Sequence, residues 1–513
     1  MTFKYSKWIL LSIFFWIFLI PLLIMAIVYR VIIHLILKLK FKDKYGGLVT
    51  ISDSFFLSLA SKCSIMATMY VKSQRPIDIY DLVESTLREK IFDNPELYPK
   101  LTGNTGTFAG HSFWIRNGCC VNDVLFRINI PRNVLFNERT LKTVTGEIAN
   151  KTQPRNDTIL WDIHVAETPI LAKKNDGFLR YAIVVRFHHC VGDATSLFAL
   201  LLQIFGGNTQ NYCEEIARKF SKRPARRKSF KETFKYYLTN LGLILEVAFI
   251  TLGRLNDLYS RPRIIWRSAS RRCNYSKDKV ISWTSEERVE CVPLVKLIKN
   301  HTKSSFFAVL NTALSVSLTN YLKKKSSMEV PSFIPGTISF LLQLPKFNLS
   351  SPVVLENNAS GGHFELPIHN SDTFLDTLDR VKEKLTKYFN YSNALILRLF
   401  VGHILGAFPL HLFDPLSRDC NSINFLMTNV PGSDKIPMFG SCILEQIVPI
   451  FPNFHGTAIT VAFLTYDNKF QIGLSMDKRL INGDDDLQTM ADDILDSIRL
   501  FAKELVIKSV IDC

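Results

Sequence analysis

The chain has 513 residues, a formal net charge of +16 and 47% hydrophobic residues. That is more length than one core usually fills, with apolar content to spare, so two packed domains are expected and a disordered chain is excluded. The cationic excess gathers beside apolar segments and brings no zinc-finger or RNA-binding pattern, which points to an anionic membrane surface and away from nucleic acid.

In chain order, residues 1–45 read as a membrane anchor. Trp8 to Tyr29 is apolar except for Ser12 and Pro21, long enough to cross a bilayer as a helix, and no small-residue cleavage site precedes Arg30. Arg30, His34 and Lys38 then share one helical face, the pattern of an interfacial amphipathic helix. Pro21 near the middle leaves a hairpin in one leaflet open beside a span. The basic excess after the apolar run, from Arg30 to Lys44, favours cytosolic catalytic domains, whereas the sequons at Asn156 and Asn390 would suit a luminal chain.

Residues 46–213 form the first expected domain. Its centre is Phe187-His188-His189-Cys190-Val191-Gly192-Asp193-Ala194, which joins a β-branched strand, Tyr181 to Phe187, to a helix marked by Leu197, Leu200, Leu201 and Ile204. Alternation places Ile183, Val185, Phe187 and His189 on one face. An imidazole there is a candidate general base, because its ordinary pKa of about 6.5 leaves it neutral at physiological pH. A satisfied core histidine is the competing reading. Asp193 stands where a helix N-cap belongs, a role compatible with holding the turn that carries His189. Cys190 reads as a buried thiol and not a nucleophile, and the ten cysteines show no metal-ligand spacing, so no metal site is expected.

Residues 214–280 read as a basic linker, with Lys222, Arg223, Arg226, Arg227, Lys228 and Lys231, followed by an apolar helix over Leu238 to Leu255. Residues 281–513 form the second domain. A strand is expected at Ile281 to Trp283, a helix at Phe306 to Leu322, strands near Ala458 to Leu464 and Phe470 to Leu474, and a turn at Asn429 to Gly432. The mixture is an α/β fold of layered strands and helices.

The segment His188-His189-x-x-x-Asp193 resembles the HHxxxDG motif of the wax ester synthase/diacylglycerol acyltransferase family, within the chloramphenicol-acetyltransferase-like superfamily. Leu160-Trp161 resembles that family's PLW segment, Asn429-Val430-Pro431-Gly432 its NVPGP turn, and Asn358 with Leu366-Pro367 its GN…LP stretch, with Gly440, Gly456, Tyr466 and Asp477 in the order of its C-terminal region. The resemblance spans roughly residues 50 to 505. It departs at Ala194, where the family has glycine, and at Phe307-Ala308, where it often has Asn-Asp.

The resemblance implies two similar α/β domains with a tunnel between them. It implies an acyl-CoA-dependent O-acyltransferase, with His189, His188 and Asp193 as catalytic residues and Trp161, Asn429 and Gly432 at the substrate. The acceptor would be a long-chain alcohol or diacylglycerol drawn from the bilayer at the endoplasmic reticulum or a lipid droplet. No cofactor is expected beyond acyl-CoA as co-substrate. The alternative is a membrane-tethered lipid-binding protein that kept the fold without the turnover. A peptide-synthesising condensation domain would need carrier-protein neighbours, and a soluble plant-type acyltransferase a DFGWG-like stretch; the chain has neither.

Overall fold

In the computed structural model, the described residues are 6–59, 63–116, 118–131, 133–153, 159–171, 176–206, 214, 249, 278–324, 330–341, 352–368, 373–388, 398–412, 424–451, 457–481 and 483–511. The basic linker, the apolar segment Leu238 to Leu255, Gly456 and both sequons lie outside them.

Among the described residues, two six-stranded sheets and one three-stranded sheet carry the fold. The first large sheet runs in the order Ile436–Met438, Cys442–Ile450, Ser64–Ser73, Leu179–His188, Trp161–Val165 and Leu125–Arg127. The second runs Ala359–Pro367, Phe333–Leu341, Phe425–Pro431, Ile459–Tyr466, Lys469–Asp477 and Lys279–Ser285. The chain division expected at 280/281 does not partition these sheets. Residues 436–450 leave the second half of the sequence for the first sheet, where Cys442–Ile450 pairs antiparallel with Ser64–Ser73 and Ile436–Met438 pairs in turn with Cys442–Ile450. Tyr466 pins that excursion: its hydroxyl donates to the Leu444 carbonyl at 2.7 Å and accepts from the Ile436 amide at 2.9 Å.

Each sheet buries its own apolar core. The helix Ala194–Phe205, apolar except for Thr195, Ser196 and Gln203, packs Leu197, Leu200 and Leu201 onto the first sheet. The helices Cys291–His301, Phe306–Lys324 and Asp484–Ile511 cover the second. The departure at Phe307-Ala308 falls in the middle one of these, with Ala308 sealed in the core.

The N-terminal segment is one helix, Ser6–Phe41, unbroken through Pro21. This corrects one expectation: the chain does not turn back at Pro21, which lies inside a continuous helix. On the Arg30 to Lys38 face, Arg30 donates to the Val49 carbonyl and His34 Nδ1 lies 2.8 Å from the Tyr45 hydroxyl, while Lys38 stays exposed. Ile33 and Leu37 are buried with Tyr45 and Phe113 against the small sheet of Tyr45–Leu48, His111–Ile115 and Asn104–Phe108. By length and composition this helix is long and apolar enough to cross a membrane.

Candidate active site

The strand expected over Tyr181 to Phe187 is Leu179–His188, so His189 sits one residue beyond it, in the turn. The turn is stitched from three directions. The His188 amide donates to the Leu160 carbonyl at 2.7 Å, the His189 amide to Cys63 at 2.8 Å and the Asp193 amide to Glu356 at 3.1 Å. Gly192 is required by close approach, since a Cβ there would lie 2.6 Å from the Ser196 hydroxyl.

Asp193 is the N-cap of the helix Ala194–Phe205, its Oδ1 accepting from the Thr195 and Ser196 amides at 3.1 and 2.9 Å. The other oxygen accepts from the Asn358 amide at 2.8 Å. Among the described residues no arginine is paired with this carboxylate, and Arg398 donates to the Asn358 carbonyl at 3.1 Å.

His189 is half-buried and stacks flat on Phe56, with ring centroids 4.0 Å apart and planes 7° from parallel. Its Nδ1 lies 3.0 Å from Asn357 Oδ1. The Asn357 Nδ2 donates to Asp53 Oδ1 at 2.7 Å and to the His189 carbonyl at 2.8 Å. A carboxylate only accepts, so Asp53 fixes which end of the amide faces it and leaves Asn357 Oδ1 toward the ring. An amide oxygen also only accepts. His189 Nδ1 therefore carries the proton and Nε2 the lone pair, the tautomer of a base. Asp53 is in turn held by Lys100 at 2.8 Å, and the same ammonium donates to the carbonyls of Leu355 and Val191 at 2.8 and 3.2 Å. Burial holds the His189 pKa below its ordinary 6.5, with its own carbonyl, Asp193, Asn357 and Asp53 pulling the other way. The ring is neutral at physiological pH.

The remaining expected residues fall differently. His188 is buried, and its Nδ1 accepts from the Cys190 amide at 3.2 Å, which shapes the turn. Cys190 lies in that turn and not on a strand; burial pushes its thiol well above the ordinary range. Trp161, expected at the substrate, is sealed in the core: it stacks on Phe187 and Phe92 and donates Nε1 to the Leu101 carbonyl at 2.8 Å. Asn429 is in a strand and not a turn. Alternation puts its half-buried side chain on the face of Phe425 and Met427, opposite Val430, and its Oδ1 has no hydrogen-bond partner among the described residues. Gly432 follows the strand and is enforced by packing, because a Cβ would stand 2.0 Å from the Thr465 carbonyl oxygen.

An apolar, half-open cavity lies between the two sheets, flanking the motif. Phe187, Ala194 and Phe198 line it on one side, and Val430 and Leu464 on the other. His189 is not among its lining residues; the cavity reaches the motif at Phe187 and Ala194. Beneath the strand, Arg186 donates to Asp162 and to the Ile148 and Lys151 carbonyls at 2.8 and 2.9 Å. Burial alone would raise the Asp162 pKa, but hydrogen bonds from His164 and Arg186 outweigh it and hold the value at about 2.

Residues 356–501 match the model of the WS/DGAT C-terminal domain. The chain is 22% identical over 451 residues to wax ester synthase/diacylglycerol acyltransferase 5 of Arabidopsis thaliana, covering 82% of this chain and 86% of that one. It is 21% identical over 457 residues to wax ester synthase/diacylglycerol acyltransferase 9 of the same plant, covering 82% and 88%. Over about four-fifths of its length the chain is therefore similar to WS/DGAT proteins. Among solved structures, the wax ester synthase/diacylglycerol acyltransferase from Marinobacter aquaeolei VT8 superposes with a TM-score of 0.55 at 13% identity, covering 89% of this chain and 100% of that one. The starter condensation domain of rhizomide synthetase with C8-CoA gives 0.54 at 8% identity, covering 91% and 97%. Both share this chain's fold.

Sequence reasoning missed Asn357, Asp53, Lys100 and Phe56 at this site. Asn357 adjoins the singled-out Asn358, and Asp53 and Phe56 lie in a short apolar helix, Ile51–Leu59, where a carboxylate is out of place. Lys100 carries no signal of its own.

Proposed function

We propose that this chain is a membrane-bound O-acyltransferase that moves a long-chain acyl group from acyl-CoA to a lipid alcohol, giving wax ester from a fatty alcohol or triacylglycerol from diacylglycerol. The observation that carries the reading is the Asp53–Asn357–His189 chain, which leaves a neutral imidazole with its lone pair on Nε2.

His189 Nε2 takes the proton of the acceptor hydroxyl as its oxygen attacks the thioester carbonyl. The tetrahedral intermediate collapses, the carbon–sulfur bond breaks, and the imidazolium returns the proton to the departing thiolate. Ester and CoA leave without an acyl-enzyme, and acyl-CoA is the only co-substrate required. Asp193 holds the turn and handles no proton; His188 orients it. Trp161 backs Phe187 at the cavity wall, and Gly432 lets the strand bearing Val430 close on its neighbour, so both shape the acyl site from behind. Asn429 lies beside it, on the face of Phe425 and Met427. The C8-CoA seen on the rhizomide condensation domain supports a CoA thioester as donor on this fold. The apolar helix and the cations that follow it support a seat on the endoplasmic reticulum or lipid droplet, with the catalytic sheets in the cytosol.

The test supplies labelled palmitoyl-CoA with hexadecanol or dioleoylglycerol to membranes carrying the protein. Labelled wax ester or triacylglycerol above empty membranes supports the reading. Lipid retained by the purified protein without product supports a binding protein of the same fold instead.

A further inference from the structure

The helix Ser6–Phe41 is not a free tether. The globular body covers or half-covers Ser12, Trp16, Leu19, Leu23, Ala26, Arg30, Ile33, Leu37 and Phe41, a stripe advancing in steps of three and four residues along nearly its whole length. Near its start, Phe15, Trp16 and Leu19 pack on Ile404, Leu399 and Phe408. Midway, Tyr29 donates to the Ala109 carbonyl at 3.1 Å, and near its end Phe41 meets Phe113 with centroids 5.0 Å apart.

The opposite flank is apolar and bare from end to end. Leu10, Phe14, Phe18, Met25, Ile32 and Leu39 are all exposed, Phe18 at 69% and Leu39 at 78%. From Leu10 to Leu39 that flank is about 44 Å long at roughly 1.5 Å per residue. A bilayer core is about 30 Å thick, so fitting the whole flank into it as a span demands a tilt of about 47°, beyond the roughly 0–40° seen for spanning helices. A shorter crossing from Ile9 to Tyr29 meets a second obstacle. The contact at Trp16 lies about 21 Å along the helix from Arg30, so an upright helix would carry the short π- and 3-10-helical turns of 400–412, with the His403 imidazole exposed, deep into hydrocarbon. An exposed polar side chain and the unpaired ends of such short turns are costly among lipid tails.

We propose that the N-terminal helix is monotopic: it lies in the plane of one bilayer leaflet, outer flank in the acyl chains and covered stripe under the body. The exposed Lys38 and Lys40 then reach up to the headgroups. The same seat brings the catalytic site to that leaflet. Residues 398–412 touch the membrane helix through Ile404, touch Ile51 through Gly406, and reach the motif through the Arg398 bond to Asn358. This rests on the membrane contact proposed above and adds its geometry.

The test uses the full chain with a small tag at each end, in sealed microsomes. A monotopic chain keeps both tags on one side, so protease removes both or neither, and the protein resists carbonate extraction. Tags on opposite sides overturn the proposal. Release by carbonate overturns it together with the membrane seat, while turnover in the released fraction would leave the acyltransferase reading standing. A second measurement compares Phe18→Glu and Leu39→Glu, both on the exposed flank, for binding of the purified chain to phosphatidylcholine/phosphatidylserine vesicles. The in-plane seat buries both side chains, so each variant binds about tenfold more weakly or worse. A span or a hairpin ending at Tyr29 leaves Leu39 in water, and unchanged binding of Leu39→Glu would overturn the proposal.

Discussion

Asn357→Leu is the substitution that isolates the tautomer argument. It keeps the side-chain volume but removes the acceptor for His189 Nδ1 and both donations of the amide, to Asp53 and to the His189 carbonyl. Asn357 is 9% exposed and Asp53 2%, so water does not simply replace what is lost. Each orphaned buried acceptor costs about 1–3 kcal/mol, and Asp53 retains Lys100, which sets the stability loss near the low end, about 2 kcal/mol. The catalytic effect is separate. With Nδ1 no longer held, part of the population places its proton on Nε2 and the ring swings on Phe56. A loss of about 1.4–2.8 kcal/mol of transition-state stabilisation is a 10- to 100-fold fall in kcat. KM for both substrates holds, since Asn357 does not line the apolar cavity. Steady-state kinetics with palmitoyl-CoA and hexadecanol, alongside a thermal melt, read the two effects independently. A folded variant whose kcat stays within about twofold of the parent would refute the claim that this amide sets the base.

Four further outcomes follow from the same geometry. Because burial lowers the His189 pKa below 6.5, kcat/KM should fall on acidification with its midpoint beneath 6.5. The linkage has the same sign: the unfolded chain takes up this proton first, so the stability contribution is complete above 6.5 and is lost as pH drops through the folded value, a dependence that His189→Gln should remove in urea melts. Arg186→Met leaves the Asp162 carboxylate buried with only His164 beside it, and should cost about 3–5 kcal/mol by chemical denaturation. Gly432→Ala forces a methyl onto the Thr465 carbonyl and should cost about 1–3 kcal/mol, visible as a lower Tm and as strand displacement beside Val430.

The strand–turn–helix around His189 was legible because its signals are local. β-Branched residues from Ile183 to Val185, an N-cap aspartate and leucines at helical spacing act within about a dozen neighbours, and the helix Phe306–Lys324 and the late strands yielded to the same reading. What escaped depends on contacts distant in sequence. Asn357 meets His189 and Asp53 only once the two halves pack, so neither its amide orientation nor the imidazole tautomer has a local signature. The crossing of residues 436–450 into the first sheet is equally non-local, since a strand's pattern does not name its partner. Asn429 shows the cost of reading composition alone: Asn-Val-Pro-Gly favours a turn, yet parallel pairing with Ile459–Tyr466 extends the strand through Pro431 and sends the asparagine to the far face. Pro21 misled for a related reason, because it lies in a helix whose remaining ladder tolerates the one missing N–H.

The central claim is that a single neutral imidazole performs the acyl transfer, and the rate of His189→Ala tests it most directly. With palmitoyl-CoA and either acceptor, the variant should fold, bind lipid and lose about 10²- to 10⁴-fold in turnover, the usual contribution of a positioned general base. Equal turnover in parent and variant would place the chemistry elsewhere and contradict the account.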